Sequence, residues 1–93
     1  MNPCVFLDRD GVLNTERGTY TWKVEDFRII PGVPEALRDL KNAGYKLVVI
    51  TNQGGISRGM FTRKDMEACH ELLQRETGRV IDEIYFAAGH PDE

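Results

Sequence analysis

The chain has 93 residues, of which 41% are hydrophobic and 29% charged, and its formal net charge is -3. That length holds one small domain at most, and the composition is that of a globular chain rather than a disordered one. Interspersed charges of slightly acidic balance offer no basic surface to nucleic acid or an anionic membrane, and no apolar run is long enough to span a bilayer. The first residues lack the basic start and apolar stretch of a signal peptide, so a cytoplasmic chain is expected. Cys4 and Cys69 are solitary, without a C-x-x-C spacing, and each falls in a segment that reads as buried. Two reduced core thiols are expected, with neither a disulfide nor a thiolate metal site.

Taken in chain order, the first element is a strand over Cys4 to Asp8, an apolar run that ends in "DRDG". Residues 11–30, "GVLNTERGTYTWKVEDFRII", are too long for a simple link to the next helix. Gly18, the Thr-Tyr-Thr-Trp run and a second extended stretch near Phe27 to Ile30 predict a small hairpin flap over about 12–30, projecting over the strand ends. Tyr20 and Trp22 are expected to pack that flap down. "GVPEALRDLKNAG" follows as a helix: Val33, Ala36, Leu37, Leu40 and Ala43 form one apolar stripe, Pro34 suits the first turn, and Gly44 suits the close.

The second strand, Lys46 to Thr51, has a continuous Leu47-Val48-Val49-Ile50 run, which suits a parallel strand covered on both faces. A glycine-rich loop, "NQGGISRGMF", comes directly after it. Thr62 then caps a second helix with Asp65 three residues on, Met66, Cys69, Leu72 and Leu73 supply its buried face, and Gly78 ends it. His70 lies beside that stripe and is expected at the surface. A weaker third strand runs over Ile81 to Ala87. The order β-α-β-α-β predicts an α/β fold with a parallel sheet and right-handed crossovers.

In an open parallel sheet, ligands bind beyond the carboxyl ends of the strands. The conspicuous polar residues gather there: Asp8 and Asp10 after the first strand, Thr51, Asn52 and Gln53 after the second. Asp-x-Asp-Gly alone reads as a turn. Residues i and i+2 of a strand share a face, however, and two carboxylates so placed repel unless a cation, a proton or hydrogen bonds compensate. Mg²⁺ suits such a cluster because it keeps several waters and binds substrate phosphate as well. Gly11 lets the backbone turn sharply. The loop from Asn52 to Gly55 offers backbone N–H groups to an anion. Arg9 points to the opposite face from the aspartates, where a structural role is expected.

"FLDRDG" after an apolar strand, joined to "VVITNQGGISRG" at the end of the next, resembles the haloacid dehalogenase-like phosphohydrolases. Within them it resembles the group acting on D,D-heptose 1,7-bisphosphate or histidinol phosphate. The resemblance covers nearly the whole chain. It implies a Rossmann-like sheet of the haloacid dehalogenase type without an inserted cap domain. It implies that Asp8 is the nucleophile that forms an aspartyl-phosphate, and that Asp10 is the general acid and base. Mg²⁺ would be held by the Asp8 side chain and the Asp10 backbone carbonyl. Thr51 and Asn52 would contact the phosphoryl group, with Gln53 and Arg58 as further substrate contacts. The implied partner is a small phosphate ester, foremost D-glycero-D-manno-heptose 1,7-bisphosphate, and the implied protein is a cytoplasmic monomer.

The sequence departs from the family pattern in two ways. The lysine and the second acidic metal site that the family places after a fourth strand do not occur before Glu93, so residues 1–93 read as the N-terminal part of one phosphatase core domain, cut off after the third strand. A structural Zn²⁺ is not expected, since Ala87 and Gly89 stand where a cysteine and a histidine would, and His90 alone does not restore a site. A signalling receiver domain is disfavoured, because its phosphorylated Asp follows the third strand, where this chain has Ala87-Ala88-Gly89. A truncated, non-catalytic chain is the remaining alternative.

Overall fold

The computed structural model describes residues 3–88. Its three strands, β1 (Cys4–Leu7), β2 (Lys46–Asn52) and β3 (Glu83–Ala87), form one parallel sheet in the order β1-β2-β3. Two helices, α1 (Val33–Asn42) and α2 (Arg63–Glu76), make the crossovers. The expected β-α-β-α-β order is therefore the observed one. Thr62 and Asp65 form a full capping box at the start of α2, each side chain accepting from the other's backbone N–H at 3.1 and 2.9 Å.

In register, Val5 lies beside Leu47, Leu7 beside Val49, and Val49 beside Ile84. This row forms the floor of the core, on which Leu37 of α1 and Cys69 and Leu73 of α2 pack, together with Leu13, Phe27 and Ile81. Ala36 and Ala43 of the expected α1 stripe are exposed, so Val33, Leu37 and Leu40 carry its contact.

Both helices serve the same face of the sheet. A strand order that advances in one direction produces this whenever the crossovers share a hand. The opposite face consequently carries no helix among the described residues, and Phe6, Ile50 and Tyr85 stand 65%, 47% and 57% exposed on it, although Val48 between them is buried at 4%. Two expectations are corrected by this arrangement. The continuous apolar run of β2 has helices against one face only, and on the other face Ile50 is exposed while Val48 is buried. Cys4 shares the open face with Phe6 and is exposed, whereas Cys69 is a core thiol.

The third strand begins at Glu83 rather than Ile81 because Asp82 has other work. Its backbone N–H donates to the Leu47 carbonyl (2.9 Å), and its carboxylate accepts from the Leu47 N–H (2.8 Å) and from Lys41. The lysine contact and then that backbone N–H hold the Asp82 carboxyl below its ordinary range. An acid that looked unfavourable for a strand thus ties α1, β2 and the start of β3 together.

Residues 12–30 form the flap with a narrower pairing than a full hairpin. Its two arms meet where Thr15 N–H donates to Arg28 (2.9 Å) and Ile30 N–H to Leu13 (3.0 Å), with one antiparallel bridge between Asn14 and Ile29. A single 3₁₀ turn, Val24–Asp26, lies between the arms. Leu13 and Phe27 anchor the flap in the core.

Candidate active site

Just past β1 the chain turns abruptly. The Arg9 carbonyl accepts from the N–H groups of Val12, Leu13 and Asn14 at 3.2, 2.8 and 3.2 Å, and Gly11 N–H donates back to Asn14 at 2.8 Å. Gly11 sits at φ +86°, a conformation that costs a residue with a side chain and costs glycine little. The turn leaves Asp8 exposed at the strand's end and directs Asp10 into an open cavity of about 500 Å³. That cavity lies at the carboxyl edge of the sheet, beneath the flap, and is lined by Arg9, Asp10, Glu16, Tyr20, Asn52 and Gln53 among others. Of the expected site residues, Asp10, Asn52 and Gln53 meet there, while Asp8, Thr51 and Arg58 lie outside its lining.

The Asp10 carboxylate is asymmetrically held. Its Oδ1 accepts from Arg9 Nη2 (2.9 Å), Arg9 Nε (3.3 Å) and Asn14 Nδ2 (2.9 Å). Every described hydrogen bond to this side chain falls on Oδ1. Arg9 is 1% exposed, and its guanidinium also donates to the Thr21 carbonyl (3.0 Å) and to His70 Nε2 (3.3 Å), and lies 5.3 Å from the centre of the Phe27 ring. A buried cation is tolerated only when its donors are matched in this way. The expectation of an exposed His70 is overturned here: the ring is 8% exposed, because the arginine needs an acceptor from α2. An arginine can only donate, so Nε2 carries a lone pair and the neutral ring has its proton on Nδ1. Burial, and then the Arg9 charge, push the His70 pKa down to about 4. Burial likewise raises the Cys69 thiol.

Thr51 and Gln53 are both buried, and Gln53 Nε2 donates to Thr51 Oγ1 at 2.7 Å. In the loop that follows, Gln53 N–H is consumed by the Ala87 carbonyl (2.7 Å). The anion cradle expected over Asn52 to Gly55 therefore narrows to Gly54 and Gly55, whose N–H groups meet no acceptor in the described hydrogen bonds. The flap and this loop are joined by aromatic packing: Phe61 stacks on Trp22 at 6.4 Å and meets Tyr20 edge-on at 5.7 Å. Arg58 Nη1 reaches the Tyr20 hydroxyl at 3.3 Å. Gly55 lies against this cluster, and a Cβ added there would come within 2.3 Å of Phe61 Cε1 and 3.1 Å of Tyr20 Cδ2. Phe61 is pinned by its two partners, so Gly55→Ala is expected to destabilise the fold by about 1–3 kcal/mol, read as a lower urea midpoint.

Three functional candidates escaped sequence reasoning, the first being Arg9, which was expected on the face opposite the aspartates and instead lines the cavity and binds Asp10. Asn14, wholly buried, holds Asp10; its only signal was an amide side chain within a turn directly after the acidic pair. Its own Oδ1 is buried without a partner among the described residues. His70 gave a misleading signal, as a polar residue on the flank of an amphipathic helix. Among the described residues no group of three or more His, Cys, Asp or Glu is placed to hold a metal. The donors at the strand end are the carboxylates of Asp8 and Asp10 and nearby carbonyls. That set suits a hard cation that takes one or two carboxylates and fills its shell with water and phosphate oxygens. Ala87 at the end of β3 has no ligating side chain, while Gly89 and His90 lie outside the described residues.

A parallel sheet with paired aspartates past its first strand and Thr-Asn-Gln past its second defines a class of protein. Residues 5–80 match the family model of haloacid dehalogenase-like hydrolases, and the chain belongs to that family. It is 47% identical, over 99% of its own length and 55% of the relative's, to D-glycero-beta-D-manno-heptose-1,7-bisphosphate 7-phosphatase of Helicobacter pylori. It is 43% identical to the enzyme of the same name from Yersinia pestis, over 97% of this chain and 49% of that one. A crystal structure of D,D-heptose 1,7-bisphosphate phosphatase from B. bronchiseptica, complexed with magnesium and phosphate, superposes with a TM-score of 0.90 at 29% identity, covering 98% of this chain and 52% of that one. The chain thus spans about half the length of the relatives it matches.

Proposed function

We propose that the complete protein containing these residues is a Mg²⁺-dependent phosphomonoesterase that hydrolyses D-glycero-D-manno-heptose 1,7-bisphosphate through an aspartyl-phosphate. The observation that carries this reading is the Asp10 carboxylate, bound through one oxygen in the described hydrogen bonds and lining a cavity shared with Asn52 and Gln53. The names of the relatives support the substrate. Asp8, exposed and without a described hydrogen-bond partner, is open to attack on phosphorus. Asp10 protonates the departing alkoxide and then takes a proton from the water that hydrolyses the intermediate. Gln53 occupies a lone pair of Thr51 Oγ1, which leaves the hydroxyl hydrogen to donate to the transferring phosphoryl group. Asn52 stands beside it, and Arg58 contacts the rest of the substrate.

Mg²⁺, held by the Asp8 carboxylate and the Asp10 backbone carbonyl, supplies the positive charge that relieves the repulsion between two carboxylates and a phosphate. The lysine and further acidic ligand that the family resemblance calls for belong, in this reading, to a segment outside residues 1–93. We place the protein in the cytoplasm as a monomer; unpaired cysteines, one of them exposed, suit a reducing compartment.

The test is phosphate release by the purified complete protein from heptose 1,7-bisphosphate and from histidinol phosphate, with Mg²⁺ and then with EDTA. The expected result is EDTA-sensitive release, with kcat/KM at least about tenfold higher for the heptose ester, on the scale of a few pocket contacts. The reverse ranking would move the substrate to histidinol phosphate. No release from either ester would overturn the enzyme reading.

A further inference from the structure

We infer that Arg9, locked by His70, is the positioning residue that fixes which oxygen of Asp10 carries the proton; this rests on the reading of Asp10 as general acid. Three donor contacts converge on Asp10 Oδ1, two from Arg9 and one from Asn14, and they use up its lone pairs. A proton on Asp10 therefore resides on Oδ2, the oxygen that takes none of the described hydrogen bonds. The fork that makes this selection is itself fixed at both ends. Nη2 donates also to the Thr21 carbonyl of the flap, and Nη1 donates to His70 Nε2 on α2. The guanidinium thus ties flap, α2 and acid into one unit, and its burial removes competing water.

In the phosphoryl-transfer step, a bond forms between Asp8 and phosphorus while the bond from phosphorus to the alkoxide oxygen breaks. The electron pair stays on that oxygen, and the proton moves to it from Asp10 Oδ2. An acid whose proton can sit on either oxygen, or whose carboxylate can rotate, is out of place for part of the time. Misplacement of this kind costs up to about a hundredfold in rate. The loss depends on the leaving group, since p-nitrophenolate departs without a proton and an alkoxide does not.

The experiment compares kcat/KM, which reports this first step, for an alkyl phosphate and for p-nitrophenyl phosphate in the complete protein. Four variants are used: Arg9→Met, His70→Leu, His70→Gln and Asp10→Asn. Arg9→Met is expected to lower kcat/KM for the alkyl ester by about 10–100-fold and for p-nitrophenyl phosphate by less than about threefold. His70→Leu leaves Arg9 in place but removes its acceptor, and should give the same pattern at about five- to tenfold on the alkyl ester. It carries the test if Arg9→Met does not fold. His70→Gln restores an acceptor oxygen and should return the alkyl activity to within about twofold of wild type. Equal losses on both esters, or no loss, in the Arg9 and His70 variants would overturn the inference while Asp10→Asn still shows the leaving-group pattern. If Asp10→Asn also lacks the pattern, the assignment of Asp10 as acid falls, and this inference falls with it.

Discussion

Replacing Asp8 with asparagine is expected to lower phosphate release by the complete protein by at least about 10⁴-fold while leaving the fold intact. The two side chains have nearly the same volume, and Asp8 is exposed with no described hydrogen bond to lose. A surface change of that kind shifts stability by about 0.5 kcal/mol or less. The chemistry, by contrast, has no substitute. A neutral carboxamide is a poor nucleophile, and removing the nucleophile of a covalent mechanism costs about as much as removing the whole catalytic unit. Two measurements check this together: the rate of phosphate release, and the intact mass of protein quenched in acid during turnover. Wild type should show a species heavier by one phosphoryl group, and Asp8→Asn should not. An undiminished rate, or a phosphorylated species in the variant, would remove Asp8 from the role of nucleophile.

How much of this site was legible in the sequence depended on how far each residue reached for its partner. The strands and helices follow from local periodicity, and the Thr62–Asp65 capping box closes within three residues, so both could be read directly. Asp8 and Asp10 were singled out by spacing, and Thr51 to Gln53 by their place at the end of β2, and of these five the cavity gathers Asp10, Asn52 and Gln53. His70 could not be read in this way. Its partner, Arg9, lies 61 positions earlier, and only the fold brings β1 against α2. Cys4 failed for a related reason. An apolar four-residue strand looks the same whether one face is covered or both, and the decision rests on where the crossover helices fall. Asp82 illustrates the converse: an acid that weakened the local signal for a strand was recruited by Leu47 and Lys41 from elsewhere in the chain.

The same Arg9–His70 pair makes the fold sensitive to acid, and this is the second large effect expected. His70 has a folded-state pKa pushed down to about 4, against an ordinary value of 6.5. Between those values the unfolded chain binds a proton at this position and the folded chain does not. Stability therefore rises with pH across that window and is lost as the pH falls through it, by up to about 3 kcal/mol in total. The physical event is plain, since an imidazolium has no lone pair for Arg9 and would set two cations side by side in a buried site. His70→Gln keeps an acceptor and cannot titrate. Urea unfolding at pH 7.5 and pH 4.5 should then show a loss for wild type that exceeds the loss for His70→Gln by about 2–3 kcal/mol, with the two proteins within about 1 kcal/mol of each other at the higher pH. Titration of Asp82 and the other distant carboxylates is common to both proteins and cancels in the comparison, whereas Asp10 acts on His70 through the shared Arg9 network, so the pair of proteins is also compared in an Asp10→Asn background. Equal losses in the two proteins would mean that His70 is protonated in the folded state, and the lone pair assigned to Arg9 would have to be given up.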